Sequence, residues 1–324
     1  MLHLNEGTQG TLPAEKPQVA VVLAAPRGFC AGVRRAIQAV EDALSKHGPP
    51  VYVRRPIVHN MAVVRSLEAK GAVFIEELDQ VPRGSVVIFS AHGVAPSMAD
   101  DADARGLTAY DAVCPLVAKV HREVERHERN GRKVVLIGHE GHPEIEGTLG
   151  RLGSDSAFLV RSVPDVERLP LSPQAPTAYA VQTTYSVEDA QAIVNALRAR
   201  FSDLEEPSSS DICYATTNRQ AAVRRLALSC DAIIVVGEHF SSNARRLAEV
   251  ASGNCASVQL AADASELDWS RLPASGAIGV TAAASTPESS VTDVLDALAE
   301  RFDLRVETIE AAVEAVAFKR LPIA

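Results

Sequence analysis

Three cysteines stand where an extended, apolar stretch hands over to a helical pattern: Cys30 in AAPRGFCAGVRRAI, Cys114 in YDAVCPLVAKVHREV and Cys213 in SSDICYATTNRQAAVRRL. Pro115 is a favoured first helical residue, which puts Cys114 at or beside an N-cap. Free N–H groups and the positive end of the helix dipole there lower a thiol's pKa and favour a thiolate or an anionic cluster. Taken singly, each cysteine also fits a small residue in a tight turn, and Gly28 and Gly32 flank Cys30. Taken together, three thiols with no fourth leave one metal position open, as a catalytic centre requires. They lie too far apart in sequence for any short zinc or ferredoxin pattern, and no C-x-x-C occurs. Cys230 and Cys255 read as small core or loop residues.

Other reactive side chains gather at strand ends. His59 ends RRPIVH, His92 follows VVIFSA, and His139 and His142 follow VVLIG, whereas His3, His47, His121 and His127 fit solvated positions. The H-E-G-H run is too short for a zinc-binding H-E-x-x-H helix, and Pro143 argues against a continuous helix there. Glu144 can hold a proton near neutral pH if its loop is partly desolvated; the other reading is a solvated loop acid. The stretches VQTTYS, VVGEHFSSNARRL and VTAAASTPE end strands in hydroxyl and amide groups. Such residues cap helices, and they also cradle phosphate. Neither G-x-x-x-x-G-K-[ST] nor G-x-G-x-x-G is present, so a nucleoside-triphosphate or dinucleotide fold has little support.

The elements that must position these groups alternate. Residues 19–25, 51–57, 86–91, 107–113, 133–138, 178–183, 232–237 and 277–282 read as strands, with amphipathic helices between them. After Cys30, for example, Val33, Ala36, Ile37, Val40, Ala43 and Leu44 follow helical spacing. Continuous apolar strands alternating with helices predict an α/β fold whose parallel sheets are covered on both faces. The threefold cysteine handover suggests three units: 18–113, 114–210 and 211–324, with the first strand able to pack with the third unit.

The 324 residues, 47% hydrophobic, suffice for two or three separate cores. With a net charge of -9 and interleaved charges, there is no basic field for nucleic acid. No apolar run is long enough to cross a bilayer, and the polar start carries no export signal. A cytoplasmic protein with a loose tail over residues 1–17 is expected. Five dispersed cysteines then favour free thiols or metal ligands over a disulfide framework.

As a set, PRGFCAGVRRAI, VHN, FSAHGV, DAVCPLVAKVH, GHEGHPEIEG, QTTYSV, DICYATTNRQ, VVGEHFSSNARRL and TAAASTP resemble, in order and spacing, the 4-hydroxy-3-methylbut-2-enyl diphosphate reductases. The resemblance runs from about residue 18 to about residue 318. It implies three similar α/β units arranged pseudo-threefold around one 4Fe-4S cluster per chain. Cys30, Cys114 and Cys213 match its ligands, and the fourth iron is left for the substrate's hydroxyl. His59, His92, Ser241, Ser242, Asn243 and Ser285 match the diphosphate pocket, with His142 close by. Glu144 matches the proton donor and Thr183 a residue beside the hydroxyl. The implied reaction is reductive dehydroxylation to isopentenyl and dimethylallyl diphosphate, the last step of the methylerythritol phosphate route. Its electrons come from flavodoxin or ferredoxin with an NADPH-dependent reductase.

Two departures stand out. Ala283 replaces a glycine of the family pattern, so the loop carrying Ser285 is expected to shift unless its φ is negative. The C-terminal AVAFKRLPIA is short and only loosely like the family's tail. A cluster-bearing sensor and a mononuclear zinc hydrolase are the other readings; the pairing of Glu144 and Thr183 with the serine and asparagine pocket favours the enzyme over the sensor.

Overall fold

A computed structural model of the chain describes residues 16–324. The expected loose tail lies outside them except for Lys16 and Pro17. Those two are tied down: Lys16 donates to the Ala299 carbonyl and Pro17 O accepts the Asp303 N–H.

The chain opens with β1 (Gln18–Ala25) and α1 (Ala31–His47), then runs β2 (Val51–Arg54), α2 (Met61–Glu68), β3 (Ala72–Ile75), β4 (Val86–Phe89), α3 (Pro96–Ala104) and β5 (Thr108–Asp111). Next come α4 (Pro115–Arg129), β6 (Lys133–Ile137), α5 (Pro143–Leu149), β7 (Ala157–Val160), α6 (Val163–Glu167), β8 (Thr177–Val181), α7 (Val187–Arg200) and β9 (Leu204–Glu205). Last are α8 (Tyr214–Ala227), β10 (Ala232–Val236), α9 (Ser242–Ser252), β11 (Ser257–Ala261), β12 (Gly276–Ala282), α10 (Glu288–Arg301) and β13 (Asp303–Glu310).

These strands form three sheets, and every pairing is parallel, as the apolar runs predict. The orders are β3-β2-β4-β5, β7-β6-β8-β9 and β11-β10-β12-β1-β13. The first two repeat one pattern. The third is that pattern with β1 inserted beside its last strand, so the start of the chain is locked into the final sheet.

Each sheet is buried on both faces, which explains strands without polar alternation. In the third sheet Val19, Val21 and Leu23 enter one core while Val22 and Ala24 enter another on the opposite face. In β6, Val135 and Ile137 face one core and Val134 and Leu136 the other. The helices α1, α4 and α8 each carry the chain from one sheet to the next, and each starts directly after a cysteine.

Helix α4 departs from expectation. His121 and His127 are buried, not solvated. The helix packs on β6, β8 and α5, leaving little of its circumference to water despite its charge-rich sequence. The polar 205–211 stretch, which reads as a junction between the second and third units, is anchored. Buried Asp211 accepts the Val181 N–H and pairs with Lys119 at 3.0 Å.

Candidate active site

Cys30, Cys114 and Cys213 are the N-caps of α1, α4 and α8, and all three line one cavity of about 100 Å³. Two of the thiols accept helix N–H groups: Cys30 Sγ from Val33 at 3.5 Å and Cys213 Sγ from Thr216 at 3.4 Å. Cys114 has no such bond. The expected lowering of thiol pKa is reversed at two sites. Burial pushes Cys114 up to about 12 and Cys213 up to about 11, and like-charge neighbours add to it. Desolvation of an uncompensated thiolate outweighs the N-cap.

Two glycines let the loops meet. Gly28 has φ +67, a left-handed conformation that costs glycine nothing. A Cβ at Gly32 would stand 2.8 Å from Cys114 Sγ, so only glycine lets α1 approach that thiol. The Cys30 N–H donates to Ala284 O and the Gly28 N–H to Ala282 O, knitting the first cysteine loop to the loop after β12.

The same cavity is lined by every other site residue expected from the sequence: His59, His92, His142, Glu144, Thr183, Ser241, Ser242, Asn243 and Ser285. Glu144 lies on the first turn of α5, not in a loop. Pro143 starts that helix rather than interrupting one. Glu144 is 2% exposed; its Oε1 accepts the Thr183 N–H at 2.6 Å and its Oε2 the Thr183 hydroxyl at 2.8 Å. Burial pushes its carboxyl up to about 7, against the pull of those two bonds.

Three histidines pack ring to ring. The His59 and His92 centroids are 4.1 Å apart, and His142 stands 5.4 and 5.8 Å from them. Burial is the main cause that keeps all three neutral: His59 falls to about 4, His142 to about 3, and His92 well below its ordinary value. Hydrogen bonds orient two of the rings: His92 Nδ1 lies 3.0 Å from Ser90 Oγ. The Glu144 N–H donates to His142 Nδ1, which places the ring proton on Nε2, and that buried atom has no partner among the described residues. Both ring nitrogens of His59 are also unpartnered among the described residues. Asn243 Oδ1 accepts the Ala284 N–H at 2.9 Å, leaving its buried Nδ2 donor unmatched. Unmet donors of this kind each cost about 1–3 kcal/mol, so a cavity that collects them is built for an acceptor-rich ligand.

Ser285 Oγ donates to His59 O at 3.0 Å, which ties the last hydroxyl loop to the first histidine. Ala283 has no positive φ and is fully buried, and its N–H donates to Val236 O; the extra Cβ is accommodated without displacing this loop from the cavity. The C-terminal segment crosses between sheets. Glu314 pairs with buried Arg219, which donates to Gly28 O, and Leu321 and Ile323 pack on the core of the first sheet.

Sequence reasoning missed several members. Thr184 and Thr216 line the cavity, and Thr216 Oγ1 lies 3.2 Å from Cys213 Sγ. Thr216 is three residues past an N-cap cysteine, a spacing that marks it as a thiol neighbour. Arg219 holds the Cys30 loop from α8, and no local pattern announces a contact across that span. Among the described residues, no group of three or more His, Cys, Asp and Glu side chains is arranged to hold a single metal ion.

Fold and cavity define a class: an α/β protein of three parallel sheets whose interconnecting helices deliver one thiol each to a shared central cavity. The chain belongs to the LytB protein family, whose model matches residues 21–299. It is 51% identical over 306 residues to the 4-hydroxy-3-methylbut-2-enyl diphosphate reductase of Beijerinckia indica subsp. indica, covering 94% of this chain and 96% of the relative. It is 52% identical to the enzyme of that name from Paracoccus denitrificans over 306 residues, 94% of this chain and 97% of the relative. The structure of the E-1-hydroxy-2-methyl-but-2-enyl-4-diphosphate reductase from Plasmodium falciparum aligns with a TM-score of 0.90 at 38% identity, covering 94% of this chain and 96% of that one.

Proposed function

We propose that the chain reductively removes the allylic hydroxyl of 4-hydroxy-3-methylbut-2-enyl diphosphate, giving isopentenyl and dimethylallyl diphosphate. Two electrons and two protons enter, one C–O bond breaks, one C–H bond forms and water leaves. The observation that carries this reading is the meeting, in one cavity, of three thiols, a buried acid and a group of unmatched hydrogen-bond donors.

The donor set fits one 4Fe-4S cluster held by Cys30, Cys114 and Cys213, each from one of the units 18–113, 114–210 and 211–324. Three thiols that surround a cavity without converging on one ion suit a multi-iron body better than a single zinc, which needs Zn–S distances of about 2.3 Å. Such a cluster supplies electrons one at a time and, with three cysteine ligands, an iron open to an oxygen ligand.

The protein's own groups do the rest. With its carboxyl raised to about 7, Glu144 is poised both to hold and to release a proton at neutral pH. The Thr183 hydroxyl donates to Oε2 when Glu144 is ionised; with a proton on Oε2 the bond reverses, and the carboxyl then donates to the Thr183 oxygen. The hydroxyl then turns its own hydrogen toward the substrate oxygen, so the pair relays a proton to the departing water. Neutral His59, His92 and His142, with Asn243, Ser241, Ser242 and Ser285, satisfy the diphosphate oxygens by hydrogen bonds rather than by fixed cations. Electrons come from flavodoxin or ferredoxin with its NADPH-dependent reductase, in the cytoplasm.

The test is an anaerobic assay of iron- and sulfide-reconstituted protein with the diphosphate substrate and a chemical reductant. Both isomeric products are expected. A protein that takes up zinc, contains no labile sulfide and forms neither product refutes the reading.

A further inference from the structure

Beside the central cavity lies another of about 100 Å³, lined by His139, Ser242, Arg245, Arg246 and Glu249. The four helical residues form one stripe of α9, and His139 faces them from just past β6. Ser242 belongs to both cavities, and its Oγ lies 3.5 Å from Gln182 Nε2 and 3.3 Å from Thr184 Oγ1. One serine side chain therefore stands on the wall common to the two spaces.

Their charges are arranged unequally. Arg246 is matched by Asp189 and Glu249, both at 2.8 Å, so its charge and theirs are spent on each other. Arg245 is exposed; its backbone N–H donates to Ser241 O, and its side chain has no hydrogen bond or ion pair among the described residues. His139 is half-buried and held on the neutral side, first by burial. The field of Arg245 reaches His59 and His142 inside the central cavity.

We infer that the smaller cavity is an entry subsite for the substrate's diphosphate, with Arg245 as the capturing cation at its rim. The inference rests on the diphosphate reading of the central cavity. A chain of net charge -9 repels an anionic substrate, and the inner donors are neutral, so neither draws the anion from a distance. An unpaired guanidinium can take two phosphate oxygens at once and then pass them across Ser242 to His59, His142 and Asn243. Its exposure suits transient capture rather than tight holding, because water and salt screen the bound pair.

The experiment compares reconstituted parent, Arg245→Gln and Arg245→Lys proteins in steady-state kinetics over a range of ionic strength, with inorganic diphosphate as competitor. Arg245→Gln is expected to lower kcat/KM about 3- to 10-fold at low salt, flatten its salt dependence and leave kcat in place. Arg245→Lys should recover most of the loss. If Arg245→Gln matches the parent in kcat/KM and salt slope while inorganic diphosphate still competes, the entry subsite is wrong and the central pocket stands. If inorganic diphosphate fails to compete even with the parent, both readings fall.

Discussion

Cys114 and Cys230 are both partly buried free thiols, and they sit at opposite ends of parallel strands. Cys114 follows β5 and caps α4, so it lies at the carboxyl end of its sheet and faces the central cavity. Cys230 precedes β10, at the amino end, packed in a core with Cys255 and close enough to Gly279 that a Cβ there would stand 3.1 Å from its sulfur. Cys255 Sγ spends its hydrogen-bonding capacity on backbone carbonyls. In parallel α/β sheets, loops at the carboxyl ends diverge and leave room for ligands, whereas the amino ends close over the core. Direction along the strand, not thiol chemistry, separates a cavity-lining thiol from a filler.

The largest test of that contrast replaces each cavity thiol. Cys30→Ser, Cys114→Ser and Cys213→Ser should each bring turnover to background and lower bound iron and sulfide; loss of an outer partner at a metal site already costs about 10- to 100-fold. Glu144→Gln keeps the shape but not the proton, so turnover should fall about 10²- to 10⁴-fold while inorganic diphosphate still binds. Near-normal turnover in that variant would remove the relay.

His59→Ala deletes the one unmatched donor of a neutral imidazole, and binding of inorganic diphosphate, followed by calorimetry, should weaken about 10- to 100-fold. The pH profile sharpens the role of Glu144. Its carboxyl is raised to about 7, so the proton is held below that value and lost above it. Turnover should fall about tenfold per unit as pH rises past about 7, and Glu144→Gln should abolish that limb. At the small end, Cys230→Ser should leave turnover and iron content within about twofold, and stability near the parent's, since Ser replaces a partly exposed sulfur. Loss of iron from Cys230→Ser comparable to that from Cys114→Ser would erase the contrast.

The sequence made the interior of the fold legible and hid its edges. All seven interior strands and the edge strand β5 read as apolar runs, because burial on both faces leaves little choice of residue. The missed strands β3, β7, β9, β11 and β13 are all edges. β13, DLRVETIE, is mostly exposed, and its place is set by backbone pairing with β1 rather than by its side chains. His121 and His127 were misplaced for a related reason: they share α4 with many charged residues, and the neighbours that bury them come from other segments.

The cavity was legible as a set of residues and illegible as an electrostatic environment. Helix-start cysteines, strand-end histidines and hydroxyl loops are local patterns, set by capping and by the strand-to-helix handover, and short-range physics writes them into the chain. The pairing of Glu144 with Thr183, the orphaned donors of His59 and Asn243, and the mutual field of the thiols depend on segments far apart in sequence. Desolvation, which raises Glu144 to about 7 and Cys114 to about 12, belongs to the assembled cavity and to no single stretch. The sequence by itself determined which groups are delivered to the strand ends. Only the tertiary structure decided how dry those groups are and which of them touch, because burial and distance are properties of the packed whole.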